Sequence, residues 1–134
     1  MAALEAGKHV VCEKAFAVNA AEAEEMVTAA RRADRFLMEA MWTWFLPAIV
    51  ELRRRVLAGE IGDVRVIEAD FALAVSGPTG RHHELELAGG ALLDLGVYPV
   101  ALARRLLVPP TEVRALGVVG PTGVDTNLGA VMAH

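Results

Sequence analysis

The first forty residues alternate between helical and extended hydrophobic patterning. "AALEAG", residues 2–7, reads as the last turns of a helix, with Gly7 in the C-terminal cap position. "KHVVCE" follows as a short apolar strand. Asn19 then stands at an N-cap position with Glu22 three residues on, which predicts a helix start. Over the next residues Ala23, Met26, Val27 and Ala30 fall on one stripe, and the acids lie early and the arginines late, as the helix dipole favours. "RFLMEAM" is a second short strand. Helix, strand, helix, strand is the rhythm of a parallel sheet with covering helices.

The pattern then lengthens. Pro47 opens a helix, "PAIVELRRRVLAGE", that Gly59 and Gly62 close. "DVRVIEADFALAV" alternates at Val64 and Val66, which predicts a longer strand with one covered face. "SGPTGRHHELELAGG" has the breakers of a loop. "ALLDLGVYPVALARRLL" is mostly helical, with interruptions at Gly96 and Pro99. "TEVRALGVVG" and "TNLGAVMAH" read as two strands joined by a "PTGVD" turn, and they leave an edge open. The fold class expected is α/β, shading into α+β. The C-terminal part of a Rossmann-type parallel sheet is followed by the first part of an open-faced sheet domain with covering helices. The border falls at residues 40 and 41, dividing 1–40 from 41–134.

Bulk properties narrow the possible functions. The chain has 134 residues, about one domain, and is 54% hydrophobic but only 5% aromatic, so its core is aliphatic. A net charge of −4 with interspersed signs argues against a nucleic-acid partner. No apolar run approaches the ~20 residues of a membrane span, and the start lacks the plan of a signal peptide. Cys12 is the one cysteine, so no internal disulfide can form. A soluble, reducing compartment, the cytoplasm, is expected.

Two segments carry candidate chemistry. Lys14 is one of only two lysines, and it sits where the first strand should meet its turn. A lysine at the carboxyl end of a parallel strand points into the crevice where open α/β sheets bind ligands. Its ammonium can polarise a hydroxyl or carbonyl; the plainer alternative is a solvated loop lysine loosely paired with Glu13. In "GGALLDLGVYPV", Gly89 and Gly90 allow backbone to approach a ligand. Asp94 and Tyr98, four apart, share a helix face and could hold and protonate a substrate oxygen. The alternative is a core helix that Asp94 caps and Tyr98 packs.

Read together, "EKAFAVNAAEAEEM", "FLMEAMWTWFLPAIVELR", "IGDVRVIEADFA", "GGALLDLGVYPV" and "PTGVDTNLGAV" resemble the glucose–fructose oxidoreductase, inositol dehydrogenase and related (Gfo/Idh/MocA) family. The likeness is strongest to its dihydrodiol dehydrogenase-like branch. It covers nearly the whole chain. It implies an NAD- or NADP-binding Rossmann domain, a C-terminal domain with a large open sheet, and hydride transfer at a carbon bearing oxygen. Lys14 matches the Lys of the family's Glu-Lys-Pro motif, near the nicotinamide and the substrate. Tyr98 matches the acid–base residue of this branch, whose ionised form Lys14 would favour, and Asp94 matches a carboxylate that helps hold substrate. The set expected is therefore Lys14, Tyr98 and Asp94 for catalysis, Glu13 and Lys14 at the cofactor, and Trp42, Gly90 and Asp94 at the substrate. Small-molecule substrates and a homo-oligomer formed through the open sheet go with it.

Departures from the family qualify this. Ala15 replaces the proline of the motif, and a cis bond before alanine costs about 3 kcal/mol, so a different backbone is expected there. Trp44 stands where the family has Arg in Trp-Thr-Arg-Phe. No G-x-G-x-x-G follows a strand, so the chain resembles the middle of a family member and should bind a dinucleotide weakly by itself. A second possibility is a truncated, inactive homologue serving as an oligomerisation or binding module. Metal binding by His82 and His83 is not expected, because no second ligand pair is spaced for it. Cys12 reads as an inert core thiol, Trp42 and Trp44 more as packing than as cleft residues, and Arg53 to Arg55 as the solvated face of a helix.

Overall fold

A computed structural model describes residues 1–74 and 80–134. Val75, the end of the expected long strand, and residues 76–79 of the following loop lie outside the described residues. The first part holds α1 (Ala2–Glu5), β1 (Val10–Cys12), α2 (Ala20–Ala33) and β2 (Leu37–Glu39). β1 and β2 pair in parallel, with Val10 opposite Leu37 and Cys12 opposite Glu39. A parallel pair needs a crossover, and α2 is that crossover. Asn19 starts it as the patterning demands: its Oδ1 accepts from the Glu22 N–H at 2.9 Å, and its Nδ2 donates to Glu22 Oε1 at 3.0 Å. Such a cap contributes about 1 kcal/mol. Asp34, at φ 53°, ends the helix in the left-handed conformation. Ala30 on the expected stripe is buried, as is Leu4 of α1, which packs on α2.

A 3-10 turn (Trp42–Phe45) leads into α3 (Pro47–Leu57), which Gly59 and Gly62 close at φ 73° and 71°. Left-handed backbone of this kind favours glycine because it has no Cβ to clash. After two short 3-10 turns, a π-helical segment (Leu92–Gly96) runs into α4 (Val97–Leu106). β3 (Glu112–Val119) and β4 (Asp125–Ala133) then form an antiparallel hairpin with an irregularity at Val118 and Val119. α3 packs on α4, and the π segment touches β4. The architecture is mixed α/β, with a parallel and an antiparallel pair in one chain.

Four expectations need correction. The alternating run after Asp63 forms no ladder through residue 74; a strand exists through hydrogen bonds to a neighbour, and each described sheet contains only two strands. Val66 and Leu73 of that run are accordingly exposed. The Lys14–Ala15 peptide is cis, where a different backbone was expected after loss of the proline. Arg54 and Arg55 are solvated, but Arg53 turns inward and buries its Nε. Trp42 does not lie in the core: it is 55% exposed.

The apolar stretch from Leu85 to Leu106 is long enough by length and composition to cross a membrane. It is not one helix, because Ala88 at φ 56° and Gly90 at φ 104° break it.

Candidate active site

Lys14 leaves the carboxyl end of β1 and reaches the π segment, 80 positions along the chain. Its Nζ donates to Asp94 Oδ1 at 2.8 Å and to the Asp94 carbonyl at 2.7 Å. Local chemistry explains why that carbonyl can accept. Pro99 has no N–H, so the donor that a π register would bring to Asp94, five residues earlier, does not exist. Lys14 and Asp94 expose only 15% and 12% of their side chains, so solvent screens the pair little.

Two further basic side chains converge on the same carboxylate. Arg81 Nη2 lies 2.9 Å from Asp94 Oδ1. His82 Nδ1 is 2.9 Å from Asp94 Oδ2 but lacks hydrogen-bond geometry. Burial pushes the Asp94 carboxyl up; hydrogen bonds from Lys14 and Arg81, with their charges, outweigh it and hold the group at about 2. Asp94 is therefore an anion at neutral pH and a poor proton donor.

Tyr98 completes the cluster. The Lys14 ammonium sits 5.2 Å from its ring centroid. Trp42 Nε1 donates to Tyr98 Oη at 3.1 Å, and the two rings meet edge to face at 6.1 Å. Phe71 packs edge to face on the other ring contact at 5.4 Å. A hydroxyl that accepts one hydrogen bond keeps its own proton and a second lone pair for another partner. Lysine, aspartate, tyrosine and an exposed indole thus meet at one place, a set of groups whose chemistry is suited to holding an oxygen and exchanging a proton.

The remaining expected residues fall as follows. Glu13 is exposed and takes no part in the Lys14 pair, which excludes the loose Glu13–Lys14 pairing. Gly90 is buried, and what approaches it is Asp125 Oδ1, which a Cβ there would strike. Asp125 Oδ2 accepts the Leu92 N–H at 2.7 Å, so Gly90 lets β4 cap the π segment. Gly89 is equally crowded, by the carbonyls of Arg81, His82 and Glu84. Cys12 is half-buried, its Sγ 3.6 Å from the Phe16 carbonyl. Among the described residues no three His, Cys, Asp or Glu side chains converge as a metal site would need. A hollow of about 800 Å³ between α1 and α2 lies away from all these groups.

Sequence reasoning did not find Arg81, His82 or Phe71 as neighbours of the cluster. Arg81 falls in the stretch that reads as a loop, His82 is weighed there only as a metal ligand, and Phe71 is one position of an expected strand. Nothing in local spacing links them to Asp94 or Tyr98; only the close return of the loop does.

As to a nicotinamide cofactor, the residues present fit one end of it. Lys14 and Glu13 stand at the carboxyl edge of a parallel strand, where such folds seat a ligand. No Gly-rich phosphate turn occurs in this sequence to hold the pyrophosphate.

Residues 1–41 match the description "Oxidoreductase family, NAD-binding Rossmann fold", and residues 49–134 match "GFO/IDH/MocA C-terminal domain". The trans-1,2-dihydrobenzene-1,2-diol dehydrogenase of Mus musculus is 42% identical over 133 residues, covering 98% of this chain and 40% of the relative. The aldose–aldose oxidoreductase of Caulobacter crescentus, solved with glycerol, superposes with a TM-score of 0.90 at 31% identity, covering 97% of this chain and 41% of that one. A levoglucosan dehydrogenase solved with NADH superposes at 0.83 and 26% identity, covering 98% and 39%. The chain thus spans about 40% of the length of the relatives it matches. With a family match over residues 49–134 and a second over residues 1–41, this chain belongs to the GFO/IDH/MocA family of oxidoreductases.

Proposed function

We propose that this chain supplies the acid–base end of an NAD- or NADP-dependent dehydrogenase acting on a sugar, polyol or diol. The observation that carries the reading is Lys14 held between Asp94 and the Tyr98 ring at the end of β1. Tyr98 exchanges the proton of the substrate oxygen. When a substrate carbonyl is reduced, Tyr98 gives its proton to the substrate oxygen, and the Trp42 N–H and the Lys14 ammonium stabilise the charge left on the phenol oxygen; in the oxidising direction the phenolate takes the proton back. Asp94 stays ionised and fixes Lys14 in place, and the exposed Trp42 edge is open to the substrate. Glu13 and Lys14 would border the nicotinamide, which when bound supplies or accepts the hydride. The border between the cofactor-side and substrate-side parts is put at residues 40 and 41, and a soluble, cytoplasmic setting goes with small-molecule chemistry of this kind.

The test uses a protein in which this segment is joined to a complete dinucleotide-binding domain. Tyr98→Phe and Lys14→Met should each lower kcat by about 10²-fold or more, with cofactor affinity nearly unchanged. Equal losses in both quantities would reduce the pair to a structural role.

One observation favours a second reading, an inactive module that pairs with another copy. Every residue of β3 is exposed, Leu116 at 86%, and Val131 of β4 is exposed beside it. An open apolar hairpin is a template for association. Sedimentation showing a clean monomer at high concentration would dispose of that reading and of self-association through the sheet.

A further inference from the structure

α4 serves two sites. Tyr98 points to Lys14, while Val97, Val100, Ala101, Arg104 and Arg105, about a quarter-turn away, line a separate cleft of about 400 Å³. Trp44 and Arg53 form its other wall, and Glu39 lies at its base.

The polar atoms of this cleft are unusual. Trp44 Nε1, Arg53 Nε and Arg105 Nε are buried N–H groups with no acceptor among the described residues. Each such group costs about 1–3 kcal/mol if nothing accepts from it. The guanidiniums are also unneutralised: among the described residues no carboxylate lies within ion-pair distance of Arg53, Arg104 or Arg105. Glu39 is the one carboxylate in the lining; its Oε1 accepts from the Phe16 N–H, and its single charge leaves the three guanidiniums in excess. Arg105 is instead stacked at 5.3 Å over the Trp44 ring, which fixes its direction. The contrast with α3 is instructive, since Arg54 and Arg55 of the same basic run are both paired with Glu51 and Glu60.

Three guanidiniums against one carboxylate leave the cleft with surplus positive charge, which suits a multiply charged, acceptor-only group. Guanidinium forks suit the oxygens of a phosphate. The rest of the lining is apolar and aromatic, with Met41, Val97, Val100 and the Trp44 face, so the cleft has room for a carbon skeleton beside the charge. We propose that this cleft binds a phosphate monoester, with its phosphate on Arg53, Arg104 and Arg105 and its organic part against Trp44 and Val100. The site is separate from the Lys14–Tyr98 cluster and does not depend on what that cluster catalyses.

Calorimetry of the full chain at neutral pH and low ionic strength, with inorganic phosphate and with phenyl phosphate as probes, tests this. Both should bind, phenyl phosphate more tightly because its ring adds apolar contact, and sodium chloride at equal ionic strength should not mimic them. Binding should quench or shift tryptophan fluorescence, and Trp44→Phe should abolish that signal. Arg53→Gln and Arg105→Gln should each weaken phenyl phosphate binding about tenfold, while Arg54→Gln, on the solvated side of α3, should leave it unchanged. Circular dichroism confirms that each variant folds; should Arg105→Gln not fold, Arg53→Gln against Arg54→Gln decides alone. Tighter binding of inorganic phosphate than of the ester would reduce the site to a free-phosphate site and overturn the monoester assignment. No binding of either probe, or an equal loss in the Arg53 and Arg54 variants, would overturn the site altogether.

Discussion

Two carboxylates in this molecule are each gripped by cations, and they differ in everything except the result. Glu51 sits on the open face of α3, paired with Arg54 and Arg55 three and four residues on. Asp94 sits in the π segment, paired with Lys14 from the far end of the chain and with Arg81 from the preceding loop. Hydrogen bonds from Arg54 and Arg55 hold Glu51 at about 2. Asp94 is held at about 2 as well, although burial pushes it upward. The equal values hide different physics. The Glu51 cluster is a local helix-surface arrangement in water, where pairing is screened and contributes little. The Asp94 cluster joins segments that are distant in sequence, is largely shielded, and places a tyrosine and an indole at its edge. A perturbed carboxyl becomes a site candidate when its partners come from different elements and border an exposed polar group, not from its acidity alone.

The comparison breaks most sharply on activity. In a complete dehydrogenase carrying this segment, Asp94→Asn should cost about 10²-fold in kcat because Lys14 loses its anchor, whereas Glu51→Gln should leave steady-state kinetics unchanged. Comparable losses would mean that the Asp94 cluster is no more functional than the surface one. Stability gives the next largest contrast. Lys14→Met should destabilise the chain on the order of 2 kcal/mol, less than a fully orphaned buried charge because Arg81 remains. Glu51→Gln should move the thermal midpoint far less.

Acid titration sharpens the same contrast. Asp94 has a folded value of about 2 against an ordinary 3.8. A lowered value means that the stabilisation is fully present above about pH 4 and is lost as pH falls toward 2, worth on the order of 2 kcal/mol in all. Denaturant melts of the parent and Asp94→Asn should converge across that window; parallel curves down to pH 2 would contradict it. The smallest effect is ionic. Raising salt from about 10 mM to 1 M should return the Glu51 carboxyl toward its ordinary value, followed by NMR, while Asp94 stays low, because the Debye length falls from ~30 to ~3 Å and only the exposed pair feels it fully. Finally, calorimetry of this chain with NADPH should show weak or undetectable binding, since no Gly-rich turn is present to hold the pyrophosphate; micromolar affinity would refute that.

Elements whose stabilising partners lie close in sequence were readable directly. The Asn19 cap, the Ala23–Ala30 stripe, the start of α3 at Pro47 and the hairpin of β3 and β4 each follow from residues within a turn or two. The run after Asp63 was misread because alternation records a suitable face, not the neighbouring strand that must accept its hydrogen bonds. Arg53 was misread for a related reason: a basic run on a helix shows charge, while the packing of α3 on α4 decides which arginine turns inward. At the candidate site the residue types could be named in advance through the family likeness, but their partners could not. That Lys14 binds Asp94 twice, that Arg81 and His82 close on the same carboxylate, and that Trp42 donates to Tyr98 all depend on contacts between distant segments. The sequence by itself therefore determined the local elements and the chemical inventory, because both are set by short-range sterics and hydrogen bonding. Only the tertiary structure decided which charges meet, because that depends on how the π segment, the loop before it and the end of β1 are brought together in space.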